Sequence, residues 1–195
     1  MKKKVGVFIT GLIFISLAAC QDIIVKPNPH QEENQGIQYL IKEGAHDSNQ
    51  LPAFKQGVDA LSFQAKFDST AIYITAESNN QADINKLYGL SDCNSFHQVN
   101  SARFGWRWHN NQLEILAYTY SDKVRDFELL GTASLNAYHH YKIEFTSDSY
   151  IFSFDNKIVA LSRDCSGNAS GYKLYPYFGG DETAPHDIFI WIEDL

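Results

Sequence analysis

The residues best suited to chemistry lie in two aromatic, basic stretches of an otherwise acidic chain. In the first, Ser101, Arg103, Gly105, Arg107 and His109 alternate with Ala102, Phe104, Trp106 and Trp108, and Asn110-Asn111 follows directly. Asn tolerates positive φ, so this pair predicts a two-residue hairpin turn. Such a turn sets the register: His109 faces Gln112, Arg107 faces Glu114, Arg103 faces Tyr118 and Ser101 faces Tyr120. One face of the hairpin is then core. The other collects Arg103, Arg107, Glu114, Tyr118 and Tyr120 beside Gly105, which leaves room for a bound molecule. Guanidinium groups fork onto carboxylate or sulfate, and tyrosine rings stack on sugar faces. The plainer alternative is a solvated sheet face with an Arg107–Glu114 ion pair of little energetic value. In the second stretch, Gly171 to Gly180, strand alternation places Lys173, Tyr175 and Tyr177 on one side. The two sets together are the expected ligand site, and their chemistry fits an acidic glycan.

Strands must position these groups. Leu61, Phe63, Ala65 and Phe67 alternate with polar residues, as do Tyr141, Ile143 and Phe145; Ile188, Ile190 and Ile192 keep the same period. Short period-two segments separated by Asn, Asp, Ser and Gly turns predict an all-β, antiparallel sandwich or barrel. Only Asn80 to Leu90 reads as a short helix. No fixed-period repeat is present, so residues 37–195 read as one β-sandwich domain.

Tyr138-His139-His140-Tyr141-Lys142-Ile143-Glu144-Phe145, a Ser-Asp turn, and Tyr150 to Val159 with its Asp155-Asn156 turn resemble the laminin-G and concanavalin A-like signature. The Gly171–Gly180 strand and a final strand from His186 to Asp194 resemble the end of such jelly rolls. The resemblance implies a concanavalin A-like jelly roll that holds its ligand, a glycan, on the concave sheet; fold alone carries no catalytic motif. The laminarinase branch of this fold carries Glu-x-Asp-x-x-Glu on one strand. Here Leu116 stands two residues after Glu114, so the middle acid is missing and the carboxyl pair that glycoside hydrolysis needs is incomplete. Alginate-lyase-like jelly rolls use an Arg, a Gln-x-His strand and a Tyr on a Tyr-Phe-Lys-x-Gly-x-Tyr strand. A Tyr of the 173–177 segment then donates the proton while Arg103 or Arg107 neutralises a uronate. Here the spacing differs, and His97-Gln98 stands in reverse order. A polysaccharide lyase is therefore the alternative to a binding module, and a structural or adhesive role without a sugar ligand is a third. His139 and His140 are adjacent on a strand and point to opposite faces, so they share no ion. Asp181, Glu182 and Asp187 offer oxygens for a structural Ca²⁺ or form a solvated loop.

The N-terminus gives location. Lys2-Lys3-Lys4 precede an apolar run of 15 residues, Val5 to Ala19. As a helix that run spans ~22 Å, short of the ~30 Å hydrocarbon core, and so reads as a signal segment. It ends in Leu17-Ala18-Ala19-Cys20, which resembles the bacterial lipobox. The resemblance implies cleavage after residue 19, lipidation (diacylglycerol and an acyl chain such as palmitate) at Cys20 and a membrane as partner. Gln21 favours the outer membrane by resemblance to enteric sorting rules. Residues 20–36, polar with two prolines, read as a tether. An exported compartment is oxidising, and Cys93 and Cys165 both sit among turn residues. A bridge would close 72 residues, stabilising the fold by ~4–5 kcal/mol in the loop-entropy picture. Two buried thiols or a catalytic Cys are the alternatives, and no Cys-x-x-Cys motif supports redox chemistry. The 195 residues carry 16 basic and 23 acidic side chains, a net charge of −7. Without residues 1–20 the balance is 13 against 23. Such a surface does not attract polyphosphate, which argues against nucleic acid as a partner.

Overall fold

The computed structural model describes residues 36–48 and 50–195. The signal segment, Cys20 and nearly all of the tether lie outside these residues. Twelve strands follow in order: β1 (Ile37–Ile41), β2 (Phe54–Val58), β3 (Ala60–Phe67), β4 (Asn85–Ser91), β5 (Ser101–His109) and β6 (Gln112–Ser121), then β7 (Val124–Ala133), β8 (His139–Phe145), β9 (Ser149–Phe154), β10 (Lys157–Ser162), β11 (Ala169–Leu174) and β12 (Ile188–Asp194). They form two six-stranded antiparallel sheets. The back sheet runs β1-β12-β3-β8-β9-β10 and the front sheet β2-β11-β4-β5-β6-β7. Among the described residues no helix is long and apolar enough to cross a membrane.

The period-two apolar sets become the core because alternate side chains of a strand leave on opposite faces. Phe63, Ala65, Phe67, Tyr141, Ile143, Phe145, Ile188, Ile190 and Ile192 are all buried in the back sheet. They meet Ala102, Phe104, Trp106, Leu113, Ile115 and Ala117 of the front sheet. Phe63 stacks on Tyr141 at 5.0 Å between ring centres and meets Phe104 edge-on at 5.7 Å, which joins the two layers. The hairpin has the expected register, from His109 opposite Gln112 to Ser101 opposite Tyr120. Asn110 and Asn111 both take positive φ, 52° and 59°. A primed two-residue turn needs that conformation, and Asn adopts it at low cost.

The short helix expected over Asn80–Leu90 is not there. A 3₁₀ turn (Ser78–Ala82) is followed by strand β4, which pairs with β5 and β11. The register shifts between Lys86 and Gly89 on β4, so Leu87 and Tyr88 are both buried while Lys86 and Gly89 both face outward. A bulge of this kind breaks strict alternation and makes a strand imitate helical spacing.

Cys93 and Cys165 form a disulfide with Cα atoms 5.9 Å apart, tying the loop after β4 to the loop before β11. Beside it the buried Asp92 takes the Arg163 Nε–H at 2.8 Å and the Tyr150 hydroxyl at 3.2 Å. Its other oxygen accepts the Cys93 N–H at 2.7 Å. Bridge and ion pair together hold the base of the 92–100 loop, which matters for the site below.

Candidate functional site

The outer face of the front sheet carries an open cleft of about 550 Å³. Register builds it row by row. On β5 and β6, Arg103 faces Tyr118 and Ser101 faces Tyr120, all four on the outward side of the hairpin. On β4, Gly89 lies opposite Arg103, and β11 adds Leu174 opposite Gly89. Tyr172 therefore shares the outward face, two residues before Leu174. Its backbone N–H donates to Ser91 Oγ at 2.9 Å. Tyr177 reaches the same cleft from beyond the strand through a bridge to Lys86, and its ring stacks on His46 at 5.3 Å.

Arg103 lies at the centre, only 7% exposed, and its Nε–H has no hydrogen-bond partner. Burial pulls its basicity down, while the hydroxyls of Tyr118, Tyr120, Tyr172 and Tyr177 push it back up. Lys86 stands 4.7 Å from the Tyr118 ring centre and Arg103 5.3 Å from it, both as cation–π contacts. Burial, then the charges of Arg103 and Arg125, push the Lys86 amine down to about 8 against a partial lift from Asp83. Among the described residues neither Arg103 nor Lys86 has a carboxylate within ion-pair distance. Burial and a hydrogen bond to Tyr120 push the Tyr118 phenol up to about 12, so it stays protonated. Opposite these, His97 Nδ1 and the Tyr172 hydroxyl share a hydrogen bond of 2.8 Å, and the His97 N–H donates to the same oxygen at 2.9 Å. Burial and the charges of Arg103 and Lys86 lower the His97 pKa, favouring its neutral form.

The sequence-derived set divides. Arg103, Tyr118, Tyr120 and Tyr177 come together in the cleft. Arg107 and Glu114 do not line it; they pair with each other at 2.6 Å, and Glu114 also meets His109 at 3.3 Å. The plainer reading of that pair, an ion pair on a sheet face, is the one the geometry supports. Gly105 leaves no room: a β-carbon there would sit 2.5 Å from the Ile84 side chain, which already covers it.

The shared face expected for Lys173, Tyr175 and Tyr177 is also corrected. Lys173 and Tyr175 are among the residues that line the cleft, but the ends of their side chains are engaged by Tyr39, Tyr88 and Asp194. Lys173 pairs opposite Leu90, a core-facing position, and its amine donates to the Tyr88 hydroxyl at 2.6 Å and to Asp194. The Tyr175 ring packs against Tyr39 and Tyr88. Alternation is kept through Leu174, but the strand ends there, and Pro176 lies between Tyr175 and the separate bridge of Tyr177.

Lys86, His97, Gln98 and Tyr172 were not in the expected set but line the cleft. Tyr172 was one residue from detection, since only the parity of its strand was misjudged. Two of the three carboxylates considered for a cation accept backbone hydrogen bonds. Glu182 accepts the N–H groups of Ala76 and Glu77 at 2.8 and 2.9 Å, and Asp187 accepts that of Glu43 at 2.9 Å.

No protein-family model matches this chain, and no curated protein matches it in sequence. Solved structures do match in shape. Alginate lyase AlyC3 superposes with a TM-score of 0.57 at 13% identity, over 81% of this chain and 72% of that one. The GH16 protein of a Bacteroides ovatus mixed-linkage glucan PUL gives 0.53 at 8% identity, over 85% and 84%. A glycoside hydrolase family 16 endo-glucanase from Bacteroides ovatus gives 0.51 at 8%, over 81% and 80%. At such identities the likeness defines fold alone. The described chain is a concanavalin A-like jelly-roll β-sandwich.

Proposed function

We propose that this chain is a lipid-anchored envelope protein that binds an acidic glycan in the cleft over Arg103. The observation that carries the reading is a buried guanidinium whose Nε–H is unpartnered and which, among the described residues, has no carboxylate within ion-pair distance, although Asp47 also lines the cleft. A charge taken out of water without a partner is costly, and an entering carboxylate or sulfate removes that cost. Four tyrosines around it supply stacking surface for sugar rings. The fold neighbours are named as an alginate lyase and glucanases, proteins that act on glycans, which supports the same ligand class. The anchor and outer-membrane location rest on the N-terminal sequence from Lys2 to Gln21.

Arg103→Met tests the reading while keeping the fold. Replacing an unpaired buried charge with an apolar chain is neutral or stabilising, so the variant should melt at or above the parent's temperature. Its affinity for uronate oligosaccharides in calorimetric titration should fall at least ten-fold, the equivalent of one charge-assisted contact of ~1.5–3 kcal/mol. A parent that binds and a variant that binds equally well would overturn the assignment.

A lyase is the second reading, favoured by one observation. His97 and Tyr172 form a hydrogen-bonded acid–base pair in the cleft that holds Arg103. β-Elimination from a uronate needs a cation on the carboxylate and such a pair for proton transfer. Ultraviolet absorbance during the same incubations separates the readings, because only a lyase generates the unsaturated product.

A further inference from the structure

The front sheet continues past the cleft to its edge strand, β7. Register places Arg125 opposite Tyr120 and Phe127 opposite Tyr118. Both extend the rows that already contain Ser101 and Arg103. Phe127 is 44% exposed, and the Arg125 guanidinium stands 5.8 Å from its ring centre. Arg125 is exposed and, among the described residues, has no carboxylate within ion-pair distance. An exposed aromatic ring on an unprotected sheet edge is a liability that soluble proteins usually blunt. Here it is kept beside a cation on the same face as Arg103 and Lys86. From β5 to β7 is two strand spacings, ~10 Å, and from Tyr172 on β11 to Arg125 on β7 is four, ~19 Å.

We infer that Arg125 and Phe127 form an outer subsite for an anionic sugar residue, so that the ligand is a polymer with repeated charges lying across the strands rather than a single acidic sugar. This rests on the cleft reading above. Arg103 takes one carboxylate or sulfate at the inner position. Arg125 takes another about two strand spacings away, with the Phe127 ring beneath the intervening or following sugar. A single acidic sugar engages the inner position only; a longer chain engages both, and tethering makes the second contact intramolecular.

The test is a length series on the exported chain: an uronate disaccharide, an uronate hexasaccharide, and a neutral gluco-hexasaccharide, titrated against the parent, Arg125→Ala, Phe127→Ala and Arg103→Met. The outer subsite predicts that the parent prefers the uronate hexasaccharide over the disaccharide by ten-fold or more. Arg125→Ala and Phe127→Ala should remove most of that preference and leave disaccharide affinity unchanged. Arg103→Met should weaken both lengths. If the β7 variants bind the hexasaccharide as the parent does while Arg103→Met does not, the outer subsite is wrong and the cleft stands. If the parent binds no uronate, or binds the neutral hexasaccharide as well, the cleft reading and this inference fall together.

Discussion

Lys86 is the residue whose behaviour best reports the field inside the cleft. Its amine is pushed down to about 8, mainly by burial and then by Arg103 and Arg125, from an ordinary value of 10.5. Between those values the unfolded chain holds a proton that the folded chain has lost. Stability of the unliganded protein should therefore rise with pH across roughly 8 to 10.5. Affinity for an anionic glycan should move the other way, falling as Lys86 loses its charge above about 8. Lys86→Met should flatten both trends, as read by chemical denaturation and by titration in a series of buffers. Two parallel pH profiles for parent and variant would show that Lys86 does not sense the ligand. Nothing in the residue's own sequence context announces this role. The cause is tertiary: a bulge turns Lys86 outward beside two arginines supplied by other strands.

At the scale of elements, β4 decides the shape of the site. It lies between β11 and β5, and its register shift brings Gly89 against the Arg103 backbone. A β-carbon at Gly89 would run into the Ala102 carbonyl and the Arg103 Cα and Cβ. Backbone cannot yield as a flexible side chain does. Gly89→Ala should cost ~3 kcal/mol, the upper range for overpacking, and lower Tm by ~6–12 °C for a domain of this size. It should also displace Arg103 and weaken glycan binding. Scanning calorimetry checks the first effect and titration the second; an unchanged Tm would mean that β4 relaxes without strain. This strand is also where sequence reasoning failed, since Ile84, Leu87 and Leu90 recur every three residues. That spacing is helical in a list and a bulged strand in the sheet.

For the whole molecule the prediction concerns where the sandwich is held. Several buried acyl chains, each worth ~0.8 kcal/mol per CH₂, anchor a protein far more firmly than one. Cys20→Ala should block processing or release the protein, so that membrane fractionation finds it unprocessed or in the soluble fraction. Unchanged mature size together with unchanged membrane attachment would overturn the anchor. A tethered binder of a polymeric, charged glycan is consistent with the acidic remainder of the chain. With 13 basic against 23 acidic side chains after residue 20, the chain offers such a ligand its positive charge at Arg103 and Lys86 in the cleft and at Arg125 beside it.

What the sequence determined by itself was local geometry and relative facing. The Asn110-Asn111 turn leaves its two strands no freedom of register, so Arg103 meets Tyr118 and Arg107 meets Glu114 as spacing requires. The period-two runs of β3, β8 and β12 could bury only one face. Cys93 had one partner of its kind outside the N-terminal segment, and the two are joined. Tertiary structure decided the rest. Alternation states which residues share a face but not which face it is; that depends on the neighbouring strand. Pairing of Lys173 with Leu90 turned Lys173 to the inner side and Tyr172 to the cleft. His97 belongs to no strand, and it reaches Tyr172 from a loop whose base is held by a disulfide and the buried Asp92–Arg163 pair. Unlike the two cysteines, which pair by residue type, His97 with Tyr172 and Asp92 with Arg163, 75 and 71 apart in the chain, cannot be matched from spacing, because only the packed sheets bring them within bonding distance.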